Sequence, residues 1–135
     1  TKRALVAADD ILIVSAPDLA NLRNTKNLFD MLKAARPNDR APLYCINQVG
    51  VPKRPEIKVA EFSKAIEAEP VAILPFEPQL FGLAANNGQM IEEIASKHKV
   101  TELFLQIAQR LTGRAEAKKP RSSILPPLLG KLLAR

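Results

Sequence analysis

One cysteine, one histidine and no tryptophan in 135 residues exclude several kinds of chemistry at once. A disulfide within the chain needs a second thiol, and a structural zinc site wants about four Cys or His ligands. Neither can form from this chain alone. Cys45 sits inside an apolar run and reads as a small buried residue. His98, flanked by Lys97 and Lys99 with no second His or Cys nearby, reads as a surface or hinge residue rather than a ligand or base. No apolar run approaches the ~20 residues of a membrane span, and the amino end has no signal-peptide pattern, so a cytoplasmic protein is expected. The body also lacks a basic stripe. With a single tyrosine, that argues against a base-stacking platform for nucleic acid.

The formal charge is +6, and its placement says more than its size. Residues 1–109 carry 13 basic and 13 acidic side chains, whereas residues 110–135 carry 7 basic and 1 acidic. The whole excess lies in the last stretch. The length suits one domain or a large piece of one, and an apolar share of 47% is ordinary for a globular protein.

The run Leu43-Tyr44-Cys45-Ile46 ends in Asn47-Gln48-Val49-Gly50. Four consecutive apolar residues suit a strand covered on both faces, the habit of parallel sheets between helices. In open α/β sheets the carboxyl ends of the strands face the ligand, and an asparagine amide offers the donor and acceptor that read a purine edge. Asn47 is therefore the first functional candidate; the alternative is a turn residue before Gly50.

Similar reasoning places a strand at Ile11–Ser15 and another at Val71–Leu74. Thr1–Ala8 reads as the last turns of a helix, so the chain is expected to begin in mid-domain. Asp9 and Asp10 read as turn and capping groups, because adjacent side chains at a strand point to opposite faces. A helix is expected from Pro17-Asp18 to Ala35, with Leu22, Thr25, Leu28, Phe29 and Leu32 at three- and four-residue spacing. Arg36–Arg40 ends it. Lys53 and Arg54 lie in a proline-stiffened loop as two free cations, solvated or touching a phosphate. Val59, Phe62 and Ile66 mark the next helix. Gln79–Asn87 reads as a short apolar turn punctuated by Asn86-Asn87-Gly88, with core-facing helices after it bearing Met90, Ile91, Ile94 and Ala95, then Val100, Leu103, Phe104, Ile107, Ala108 and Leu111. Glu92 and Glu93 read as exposed helix residues. Strands alternating with helices in this order predict an α/β fold, a partial doubly wound parallel sheet with flanking helices.

Residues 1–113 are expected to form this domain, residues 114–123 a basic linker and residues 124–135 an amphipathic tail helix. In the tail, Leu125, Leu128, Leu129, Leu132 and Leu133 make one apolar face beside Lys131. Such a face suits an anionic membrane or a partner's groove, or packing back on its own domain.

Several stretches carry a resemblance beyond periodicity: Ala8–Val14, Pro17–Asn24, Ala34–Arg40, Asn47–Ile57, Pro75–Pro78, Phe81-Gly82 and Ala84–Ile91. Over residues 3–112 they resemble the carboxyl half of CpaE (TadZ) pilus-assembly proteins, of the MinD/ParA group of P-loop ATPases, and Asn47–Ile57 is the most specific block. The resemblance implies a doubly wound sheet, ATP with magnesium held between the subunits of a homodimer in the intact protein, and a role with other pilus-assembly proteins in placing and assembling Flp-type (Tad) pili, at the inner membrane or the cell pole. It implies that Asn47 reads adenine, that the Pro75, Phe76 and Glu77 loop packs on the base and offers backbone groups, and that the helix from Asp18, with Asn21 and Arg23, faces the partner subunit. Terminal helices of MinD-type proteins lie on membranes, which favours that role for the tail.

One departure is large. No G-x-x-x-x-G-K-S/T occurs in the chain, and no magnesium-binding aspartate follows a suitable strand; the resembled family keeps those parts in its preceding half. By itself the chain is expected to have no catalytic residue, bind no metal and turn over no ATP. The competing readings are a non-catalytic positioning module of the same fold and, on charge alone, a basic nucleic-acid binder.

Overall fold

Three short apolar runs, each preceded by a helix, become three parallel strands. The computed structural model describes residues 2–113. The elements run α1 (Lys2–Ala7), β1 (Leu12–Ser15), α2 (Leu19–Ala35), β2 (Leu43–Val49), α3 (Val59–Ile66), β3 (Ala72–Pro75), α4 (Pro78–Asn87), α5 (Ile91–Ala95) and α6 (Lys99–Thr112). The strand order is β1-β2-β3, all parallel. The expected linker and tail helix, with Leu125, Leu128, Leu129, Lys131, Leu132 and Leu133, lie outside the described residues.

The helices divide between the two faces of the sheet. On one face Ile13, Tyr44 and Ile46 meet Phe29 and Leu32 of α2 and Phe62 and Ile66 of α3. On the other, Cys45, Ala72 and Leu74 meet Ile107 of α6, with Leu103 and Leu111 beside it. Residues two apart on a strand share a face, so β2, with Tyr44, Cys45 and Ile46 all 1% exposed or less, is the doubly covered strand that its unbroken apolar run implied. Tyr44 centres the first cluster, stacked on Phe62 at 5.9 Å and edge-on to Phe29 at 6.4 Å. Its hydroxyl donates to the Ala68 carbonyl at 2.7 Å.

Several expectations need correction. β1 looked equally buried, yet Val14 is 59% exposed: β1 is the edge strand of the described sheet, and of that face only Leu12 packs, in part, against the second cluster. Gln79–Asn87 is not a turn but most of the ten-residue α4, started by Pro78 at its first positions and ended by Gly88 in left-handed conformation. A proline costs nothing there because the first N–H groups of a helix are unpaired anyway. α5 is not core-facing: none of its residues is buried, and Met90 before it is 67% exposed. Phe104 and Ala108 of α6 are also exposed, Phe104 lying edge-on to Phe81 at 6.3 Å.

Polar groups secure the joints. Arg36, read only as a helix end, is buried; it donates to the Leu5, Ala8 and Asp9 carbonyls and pairs with Asp39 at 2.8 Å. A guanidinium is apt there, since helix-terminal carbonyls lack intrahelical donors. Asp10 pairs with Arg40 at 3.6 Å. Thr25 of α2 donates to Ser15 of β1 at 2.8 Å, a buried hydroxyl pair. His98 is the N-cap of α6, its Nδ1 accepting the Val100 N–H at 3.2 Å, and Glu93 accepts the Met90 N–H at 2.7 Å.

Candidate functional site

The carboxyl ends of β2 and β3 open into a cleft of about 250 Å³ lined by Asn47, Gln48, Pro75, Phe76, Glu77, Pro78 and Phe81. Its shape begins with a bulge. Ile46 pairs with Ile73 and Val49 with Pro75, so three steps on β2 oppose two on β3, and Asn47 and Gln48 hold the extra residue. A bulge re-aims side chains, and both amides here turn toward the cleft. Asn47 is part-buried, and its Oδ1 accepts the N–H of Gln48 at 2.8 Å. Only an oxygen can meet an N–H donor, so the amide orientation follows: Nδ2 is the half left for a ligand.

Pro75, Phe76, Pro78 and Phe81 supply a largely apolar wall. Pro75 has no N–H, and the Phe76 N–H is already given to the Val49 carbonyl at 2.8 Å, which leaves carbonyls as the backbone groups of these two residues open to a ligand. Glu77 stands at the cap of α4 without a side-chain capping bond. The volume lies below the roughly 300–1,000 Å³ of pockets that hold a whole drug-sized ligand, which suits one flat ring system rather than a whole nucleotide.

The loop after Gly50 is the part that sequence reasoning misread. Arg54 is no free cation. Its Nη2 donates to the Gln48 carbonyl and to Glu56 Oε1 at 2.9 Å, and its Nη1 reaches the Gln48 side chain at 3.4 Å. Glu56 accepts the N–H of Gly50 at 3.0 Å and that of Val51 at 3.2 Å. The hydrogen bond from Arg54, with those from Gly50 and Val51, holds the Glu56 carboxyl below its ordinary value. A readable signal existed: Gly50 turns the chain at φ 88°, and a carboxylate a few residues on can collect the N–H groups such a turn exposes.

The same loop reaches the start of α2, where the Ile57 N–H meets the Pro17 carbonyl at 2.8 Å. Asp18 caps that helix, accepting the Asn21 N–H and side-chain amide, both at 2.8 Å. The Asn21 N–H is the main reason its pKa lies below the usual carboxylate value, with the Arg54 charge contributing. Asp18 and Asn21 are thus brought together, while Arg23 stands exposed on the next turn.

A larger cavity, about 770 Å³, lies at the opposite edge, where Asp10 and Val71 precede β1 and β3 and Leu43 begins β2. Size does not decide the matter. Its charged Asp10 and Arg40 are paired with each other, whereas ligands of open α/β sheets bind beyond the carboxyl ends of the strands. Among the described residues no group of three or more His, Cys, Asp or Glu side chains gathers as a metal site, and no helix is long and apolar enough to cross a membrane.

The parallel sheet, covered on both faces and carrying its cleft at the carboxyl edge, has the fold of part of a MinD/ParA-like P-loop NTPase. In particular, it is similar to the MinD cell division protein of Aquifex aeolicus (23% identity, TM-score 0.66, 85% of this chain and 48% of that one). It is also similar to the Pyrococcus furiosus cell division ATPase MinD (21%, 0.68, 84% and 46%) and to a ParA family ATPase from Chlorobium tepidum TLS (19%, 0.58, 79% and 42%). The chain spans less than half the length of these structures. No protein-family model matches the sequence, and no curated protein does.

Proposed function

We propose that this chain is the adenine-side half of a MinD/ParA-like ATPase that places and assembles Flp-type (Tad) pili. The observation that carries the nucleotide reading is Asn47: a bulge turns its amide into a cleft walled by Pro75, Phe76 and Phe81, with Oδ1 fixed and Nδ2 available. An amide edge and an apolar wall are what a purine asks of a pocket. The pilus assignment is supported by the resemblance of the Asn47–Ile57 block and its companions to the CpaE (TadZ) carboxyl half.

In this reading the triphosphate and magnesium are held by the preceding half, and this half orients the base. Asp18, Asn21 and Arg23, at the start of α2 beside the cleft loop, form part of a homodimer surface. Other pilus-assembly proteins are the partners, and the leucine-rich tail brings the assembly to the inner membrane or cell pole. The second reading is a non-catalytic positioning module of the same fold, and a phosphate-binding loop in the preceding half would favour the ATPase over it.

Calorimetry with magnesium-ATP tests the nucleotide reading. The chain alone is expected to bind negligibly, since amide donors, a lysine and a magnesium ligand for the phosphates are what hold a triphosphate. Joined to its preceding half it is expected to bind, and Asn47→Ala to weaken that binding by about 1 to 3 kcal/mol, up to about a hundredfold. ATP binding equal to wild type would reduce Asn47 to a turn former. A strain lacking the complete protein is expected to lose Flp pili while still making the pilin subunit; normal piliation would remove the pilus assignment.

A further inference from the structure

The carboxyl end of β2 is bent in a way its own residues do not favour. Among the described residues six have positive φ, and three of them, Gln48 at 57°, Gly50 at 88° and Lys53 at 61°, fall within one short turn. Two of these three are not glycine, and left-handed backbone in such residues persists only where the surroundings over-determine it. The surroundings here are two side chains. Arg54 grips the Gln48 carbonyl, Glu56 grips the N–H groups of Gly50 and Val51, and the two side chains grip each other at 2.9 Å. The clasp overrides Arg54's own solvation: its Nε is buried with no hydrogen-bond partner among the described residues.

Neither Arg54 nor Glu56 lines the cleft, but the residue they clamp controls the one that does. Gln48 in left-handed backbone sends its N–H to Asn47 Oδ1. Let the bulge as a whole relax toward a regular ladder and the Asn47–Gln48 peptide plane turns with it, carrying that N–H off Oδ1 and freeing the Asn47 amide to rotate. We propose that Arg54 and Glu56 are positioning residues for Asn47: by clamping the bulge they keep the Gln48 N–H on Asn47 Oδ1 and so pre-orient Nδ2 as the donor for a ring nitrogen of a purine in the cleft. The proposal rests on the reading of the cleft as a base pocket. Both Nη atoms of Arg54 take part in this clasp.

The test has one arm that needs no nucleotide. In the 15N-labelled 135-residue chain, the Asn47 side-chain NH2 is expected to show a heteronuclear NOE near that of the backbone, unlike the exposed Asn24 and Asn27. Arg54→Ala should drop it to the Asn24 and Asn27 level while the amide signals of Tyr44 and Phe62 stay in place. Adding Gln48→Gly, which adopts positive φ without help, should restore part of the order. Should Arg54→Ala fail to fold, Glu56→Gln provides the same comparison with a neutral acceptor and is expected to give an intermediate loss. An Asn47 amide equally ordered in a folded clasp variant overturns the proposal.

The second arm uses the complete protein with its preceding half. There Arg54→Ala should weaken ATP binding by about tenfold, and add nothing further when Asn47 is already alanine, because residues acting through one group are not additive. Full additivity overturns the proposal. If Asn47→Ala itself leaves ATP binding unchanged, the base-pocket reading fails, and the amide-order arm still decides whether the clasp positions Asn47.

Discussion

At the scale of single residues, Tyr44 shows how one side chain serves two kinds of energy. Its ring fills the space between Phe29 and Phe62, and its hydroxyl meets the Ala68 carbonyl and the Ser63 hydroxyl at 3.3 Å. Burial pushes the phenol above its ordinary pKa, so it stays a neutral donor. Tyr44→Phe keeps the ring and strips the donor from the Ala68 carbonyl. The expected loss is about 1 to 3 kcal/mol, the cost of leaving a buried polar group unmet, read as a lower denaturation midpoint with an unchanged denaturant slope. Asn47 was legible at this scale because its strand was. Its amide orientation was not, since it depends on the peptide plane that follows Asn47 in the bulge.

At the scale of elements, the loop over residues 50–57 and the start of α2 share a pH dependence. The Asp18 and Glu56 carboxyls both titrate below their ordinary values of 3.8 and 4.5. A depressed carboxylate stabilises the folded state above its unfolded pKa and loses that contribution as pH falls through its folded value. The loop and cap are therefore expected to hold unchanged from pH 7 down to about 5 and to loosen below about 4. Amide exchange at Gly50, Val51 and Asn21 across that range checks it, with Glu56→Gln flattening the response at Gly50 and Val51 only. Both groups face solvent, so added salt should weaken the effect. Periodicity found α2, α3 and α6 because each buries a stripe. It missed α4, in which only Ala84 is buried, and it overrated α5: a short apolar segment without a covering neighbour has no period to betray which way it faces.

At the scale of the whole molecule, two apolar clusters form among the described residues, one on each face of the sheet. Deleting residues 115–135 is expected to leave the thermal midpoint nearly unchanged and to abolish co-sedimentation with anionic vesicles. Five leucines at roughly 1.5 to 3 kcal/mol each when fully buried, helped by Arg114, Lys118, Lys119 and Arg121 at about 1 kcal/mol apiece near anionic lipid, provide enough to order a helix too short to be stable in water. A large drop in the midpoint would assign the leucines to the core instead. The sequence by itself determined the alternation of strands and helices, the parallel sheet and the double burial of β2, because these follow from local periodicity and from runs too apolar for a wet face. The tertiary structure alone decided that Val14 lies open, that Arg36 is buried at a joint, and that Arg54 and Glu56 hold the bulge beneath Asn47. Each of those depends on which distant groups a side chain meets, and a pattern along the chain holds no record of neighbours across space.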